Sequence, residues 1–179
     1  LPNYVQTVDG ATAFIGGLIL LPRSVFNGLG QPVYGWMLDH FGGRLPLFLG
    51  NTLFTLGVLG FTIFGRHISV LWVTILYLIF AIGRSMAFGN STAYGLKVIQ
   101  PDDQSDANAL YSTGQQVTGS MGTTVLAGMM TAVTVPGLSH AQNVGIGSQL
   151  AFGLLLAIGI LNFWLYARLF KLTSTKKVE

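Results

Sequence analysis

The sequence predicts an all-α fold, a polytopic bundle of helices that crosses a lipid bilayer several times. Three observations predict it. Of the 179 residues, 51% are hydrophobic and only 8% are charged, whereas a soluble domain carries about 25% charged residues. A soluble fold of this size would have too few charges to cover its surface. Apolar runs of roughly 20 residues recur along the chain, the length that spans the hydrocarbon of a bilayer. The 24 glycines fit the same picture, because small residues let helices approach closely in lipid.

Taken in order, five stretches are long enough to cross. The first runs from Ala11 to Met37 and is interrupted by Pro22 and Pro32. The second runs from Pro46 to Phe64, with Pro46 suited to a first helical turn. The third covers Ile68 to Leu96. The fourth covers Ser105 to Val133 and is the most polar. The fifth covers Ser148 to Phe170. Ser105 or Asp106 is the expected N-cap of the fourth, where acids also suit the positive helix end. Residues 1–172 read as one transmembrane unit, and 173–179 as a solvated tail. Leu1 to Val8 reads as the last turns of a span whose body lies upstream.

Charge sets the orientation. Arg44, Lys97, Arg168, Lys171, Lys176 and Lys177 fall on one side, while Arg66 is the base expected in a loop on the other. The positive-inside rule makes the first side cytoplasmic. The Asp39 loop, the Gln100–Asp106 loop and the C-terminal tail are then expected in the cytosol of a multi-pass cell-membrane protein.

Several function classes are excluded on residue grounds. With no cysteine there is no thiol chemistry. The net charge of +3 is scattered over span ends, which gives no nucleic-acid footprint. No G-x-x-x-x-G-K-[ST] cradle for ATP occurs. His40, His67 and His140 are far apart in sequence, so no metal site and no catalytic triad is suggested. No cofactor and no enzymatic reaction are expected.

One stretch stands apart: Gly35-Trp-Met-Leu-Asp39-His40-Phe-Gly42-Gly43-Arg44. It sets an acid and a base around a Gly pair, between two apolar runs. Its form, G-x-x-x-D-x-x-G-x-R, resembles the signature loop of the major facilitator superfamily. The match lies at Gly35, Asp39, Gly42 and Arg44. His40 and Gly43 depart from it, each standing where a base is usual. The resemblance narrows at Leu1-Pro-Asn-Tyr-Val-Gln, Gly17-Leu-Ile-Leu-Leu-Pro22 and Gln31-Pro-Val-Tyr-Gly35. These look like the C-terminal half of the fourteen-span drug:proton antiporters of the EmrB/QacA type. The stretch Asp106 to Thr123, with Gln115, Gln116, Gly119 and Gly122, is similar to a stretch of EmrB-like and lincomycin-resistance-like exporters.

The resemblance implies a six-span half of a major facilitator fold with its first helix mostly missing. It implies proton-coupled export of small amphipathic compounds by alternating access. The partners it implies are the missing N-terminal half, the lipid bilayer, the substrate and protons. Gly35, Asp39, Gly42 and Arg44 would form a conformational latch, an acid at a helix end that engages and releases as the halves rock. The proton-carrying acid is expected in the N-terminal half, since no carboxylate falls in mid-span here.

Arg23 and Arg84 fall near mid-span and are not part of that pattern. A central arginine costs roughly 2.5–3.5 kcal/mol on insertion scales, so it faces a cavity or a partner. Arg23, Asn27, Arg84, Gln115 and Gln116 are therefore the candidate lining of a substrate cavity. For both arginines a structural pair with another helix is the alternative, and for the glutamines inter-helix bonding is. Two further readings stand beside drug efflux. The arginines suit an exporter or flippase of an anionic lipid or fatty acid. The lack of a mid-span acid suits a membrane scaffold that transports nothing.

Overall fold

A computed structural model describes residues 12–18, 21–64 and 69–175. Every regular element among them is helical. They are α1 (Ala13–Leu18), α2 (Leu21–Phe41), α3 (Arg44–Phe64), α4 (Val70–Lys97), α5 (Gln104–Ala132) and α6 (His140–Thr175). A single 3-10 turn, Pro101–Asp103, leads into α5.

α3 and α4 form the centre. α6 covers α3 and also receives α5, while α2 lies mainly against α4. Leu47, Val58 and Phe61 of α3 and Val73, Tyr77, Ala81 and Met86 of α4 are buried in this core, with Val144 and Ala151 of α6. Phe61 stacks on Phe152 at 5.0 Å, and Phe54 meets Phe80 at 5.2 Å. In lipid the surroundings are as apolar as the core, so close packing and inter-helix hydrogen bonds must hold the bundle. Both are present. A Cβ on Gly83 would fall on the amide nitrogen of Phe54 and the carbonyl oxygen of Gly50, so only glycine lets α3 and α4 cross this closely. The buried Asn51 donates through Nδ2 to the Gly159 carbonyl at 2.9 Å. Gln149 donates to the Thr62 carbonyl at 3.3 Å. The Ser91 and Tyr166 hydroxyls lie 3.1 Å apart, joining α4 to α6.

Several boundaries differ from the expectation. The last helix begins at His140 rather than Ser148. Ser139 and Gln142 explain it: the Gln142 amide donates to Ser139 Oγ and the Ser139 amide to Gln142 Oε1. This reciprocal capping box satisfies two backbone donors that a helix start leaves bare. The same helix continues to Thr175, three residues into the stretch expected as tail. α5 starts at Gln104, with Asp103 at the cap position and no side-chain cap bond, so neither Ser105 nor Asp106 is its cap. Pro101 opens a 3-10 turn whose Asp103 amide already donates to the Gln100 carbonyl, which leaves less for a cap to do. Within the first expected span the structure describes two helical stretches, α1 and α2. Pro22 lies near the described start of α2. Pro32 lies inside α2 without ending it.

Three of the described helical stretches are long and apolar enough to cross a membrane: Arg44–Phe64, Leu71–Lys97 and His140–Leu172. α2 and α5, with 21 and 29 residues, have the length but more polar compositions. α5 buries none of its residues. Leu1–Val8, Arg66, His67 and the last four residues, Lys176 to Glu179, lie outside the described residues.

Candidate functional site

The signature loop folds into a two-residue connection. α2 ends at Phe41, α3 starts at Arg44, and only Gly42 and Gly43 lie between them. Gly42 has φ +69°, a left-handed conformation that other residues resist. Gly43 is buried, and a Cβ there would stand 2.5 Å from the Tyr94 ring. That contact explains why a long base does not occupy position 43. His40 turns back along its own helix: its Nδ1 lies 3.1 Å from the Trp36 carbonyl, and its ring packs on Trp36 at 4.5 Å. Gly35 is half-exposed, with open space where a side chain would sit.

Asp39 and Arg44 do not meet in an ion pair. Asp39 Oδ1 instead accepts from Lys97 Nζ at 2.7 Å. Lys97 is the last residue of α4, so the pair ties the end of α2 to the end of α4. The hydrogen bond from Lys97, and then its positive charge, holds the Asp39 carboxyl below its ordinary range. Both side chains are more than half exposed, so the bond positions the two ends and adds little to stability. Arg44 points elsewhere. It lines a shallow, open groove with Phe41, Leu45, Phe48, Leu49 and Thr52. Beside the pair, Gln104 Nε2 lies within 3.4 Å of the Leu96 carbonyl and 3.3 Å of the Ile99 carbonyl, bonding the end of α4 to the start of α5.

The second feature is a polar cleft of about 540 Å³ where α2, α4 and α5 face one another. Arg84 stands in it, the fifteenth residue of the 28 in α4. Its guanidinium lies 5.8 Å from the centroid of the Phe88 ring. Gln31 comes from α2, and Asn108, Ser112 and Gln115 come from α5. Gln115 donates to Thr92 Oγ1 at 3.4 Å, bridging α5 to α4. No carboxylate lines the cleft among the described residues.

Of the five candidate lining residues, Arg84 and Gln115 are brought together here. Gln116, one residue on and about 100° round the helix, is exposed and does not line the cleft. Arg23 and Asn27 lie in α2, but their side chains are outside the described residues. Sequence reasoning did not single out Gln31, Ser85, Asn108 or Ser112. Asn108, Ser112 and Gln115 share a helical spacing of four and three, a stripe that was there to be read.

Membrane-length helices packed around a polar cleft describe a multi-pass membrane protein with a wettable interior. The chain belongs to the Major Facilitator Superfamily, whose family model matches residues 1–179. It is thus a member of a transporter family and not an enzyme. This agrees with the resemblance of the Gly35–Arg44 loop. Over 173 residues the chain is 32% identical to the lincomycin resistance protein LmrB of Listeria innocua, covering 90% of this chain and 37% of that protein. It is 31% identical over 167 residues to an uncharacterized MFS-type transporter, YcnB, of Bacillus subtilis, covering 92% and 35%. It is 28% identical over 131 residues to a tetracenomycin C resistance and export protein of Streptomyces glaucescens, covering 71% and 24%. The chain thus spans 37% of the length of the LmrB relative. No solved structure matches it significantly.

Proposed function

We propose that this chain forms part of a secondary transporter that exports small amphipathic compounds by alternating access, driven by the proton gradient. The cleft around Arg84 carries the reading. A polar recess at mid-helix in an apolar bundle costs too much to keep unless water or a substrate fills it. The names of the relatives, which speak of lincomycin resistance and of tetracenomycin C resistance and export, support an antibiotic-sized cargo.

In this reading the chain supplies the C-terminal half, and a complementary N-terminal half faces α2 and α5. That α5 buries none of its residues suits that arrangement. Gly35, Asp39, Gly42 and Arg44 act as a latch at one end of the bundle, with Lys97 as the partner that holds Asp39 in the state described. That end faces the cytosol, as the bases Arg44, Lys97, Arg168 and Lys171 suggest. The coupling acid sits in the complementary half.

The reading is tested with the complementary half present, in inside-out vesicles carrying a pH-sensitive dye. At least one member of a panel of amphipathic antibiotics, acids and amines alike, added to energised vesicles, should release protons from the lumen. No drug-dependent proton movement with any of a panel of amphipathic antibiotics would favour the scaffold reading instead.

A further inference from the structure

Arg84 lies about 20 Å from either end of its helix at 1.5 Å per residue, in the stretch of α4 apolar enough to cross a membrane. Its side chain is exposed. Its contact is the face of Phe88 at 5.8 Å. Among the described residues the polar groups that line the cleft with it are neutral: the amides of Gln31, Asn108 and Gln115, and the hydroxyls of Ser85, Thr92 and Ser112. Asp39 sits at the end of α2 and is held by Lys97. Asp106 is in the first turn of α5 and does not line the cleft. The described lining therefore carries a formal charge of +1, with amide and hydroxyl groups around it and an aromatic ring beside it.

We infer that this cleft selects an anionic group, a carboxylate or an acidic phenol, on an otherwise apolar molecule. This rests on the transport reading above and deepens it by naming the substrate class. The guanidinium offers two parallel N–H donors to a carboxylate. The amides and hydroxyls of α5 and α4 satisfy the remaining lone pairs. Phe88 takes the apolar body as the guanidinium swings from the ring to the anion. A tertiary amine would meet the same cleft with like charge, which disfavours it. The anion-bearing molecule could be a free aromatic acid or a fatty acid from the bilayer, and the two are separable by experiment.

The test uses the full transporter in detergent, with 1-naphthoate, its neutral amide 1-naphthamide, and palmitate as probes. Binding is read by calorimetry and by displacement. The wild type is expected to bind naphthoate at least tenfold more tightly than naphthamide. Arg84→Gln should abolish that preference, and Arg84→Lys should keep part of it. If palmitate alone shows this dependence on Arg84, the anion site holds and its source is the membrane. Equal binding of acid and amide by the wild type, no binding of either acid, or equal loss of all three probes in Arg84→Gln would overturn the inference. The melting temperature in detergent and the size-exclusion profile of each variant serve as the control for folding. Proton flux is measured separately: Arg84-dependent anion binding without flux would sink the transport reading and leave the anion site standing.

Discussion

Asp39 and Lys97 are 58 residues apart in sequence and 2.7 Å apart in the fold. The acid of the signature loop is therefore already engaged within this chain. It holds the last residue of α4, the helix that carries Arg84. A link thus runs from the cleft to the loop along a single helix.

Breaking that pair should change transport more than stability. Lys97→Gln and Asp39→Asn are each expected to lower efflux roughly fivefold or more, as for a coupling between conformational states. Their melting temperatures should stay close to wild type because both groups are exposed. The double exchange Asp39→Lys with Lys97→Asp should recover much of the activity. Vesicle uptake alongside a thermal-shift assay reads both quantities.

The same pair makes a prediction about pH. The Asp39 carboxyl is lowered, chiefly by the hydrogen bond from Lys97 and then by its charge. A lowered acid contributes its stabilisation above the unfolded value, and loses it as pH falls through the folded value. That window lies below the ordinary carboxylate range, so Asp39 stays ionised from pH 5 to 8. Carbon-detected NMR of labelled Asp39 should show a midpoint below 3.8 that rises toward 3.8 in Lys97→Gln. Any proton-coupling step near neutral pH must then survive Asp39→Asn, even where the rate drops.

Gln115 and Gln116 should separate cleanly. Gln115 lines the cleft and bonds Thr92, while Gln116 does not line it. Gln115→Ala is expected to raise the KM for exported substrate several-fold. Gln116→Ala should leave KM within about twofold of wild type, in line with an exposed substitution. Concentration-dependent efflux measured on both variants decides it.

Two substitutions test the frame. Gly42→Ala forces a side chain into φ +69°, which costs about 1–2 kcal/mol. Asn51→Ala removes the bond to the Gly159 carbonyl, which is expected to cost about 0.6–1.7 kcal/mol for an inter-helix bond in lipid. Both should lower the unfolding midpoint in detergent, measured by a thermal or denaturant series.

Much of the fold could be read from apolar run length, because hydrocarbon thickness fixes that length for any sequence. The helix starts could not all be read this way. The opening of α6 at His140 is set by Ser139 and Gln142, a polar pair in a stretch that run length treats as loop. For the site, Arg84 was visible because charge in mid-span is expensive. Lys97 was read as a topology signal, since spacing along the chain carries no information about a partner 58 residues away. Choosing Gln115 over Gln116 required the helix's rotational setting, which sequence alone leaves free. Asn108 and Ser112 share a readable helical stripe with Gln115, but on the most polar helix ordinary polar residues stand on the other faces too, so the stripe alone does not mark the cleft.

The backbones of α3 and α4 touch where Gly50 faces Gly83 and Ala87, with no side chain between them. Two rods nested this tightly have no cushion over which to slide, and a shift of even one residue would drive a methyl group into a peptide plane. They must therefore turn as a single plank. Any bending that opens the cleft to one side of the bilayer or the other has to be taken up in α2, α5 and their connections.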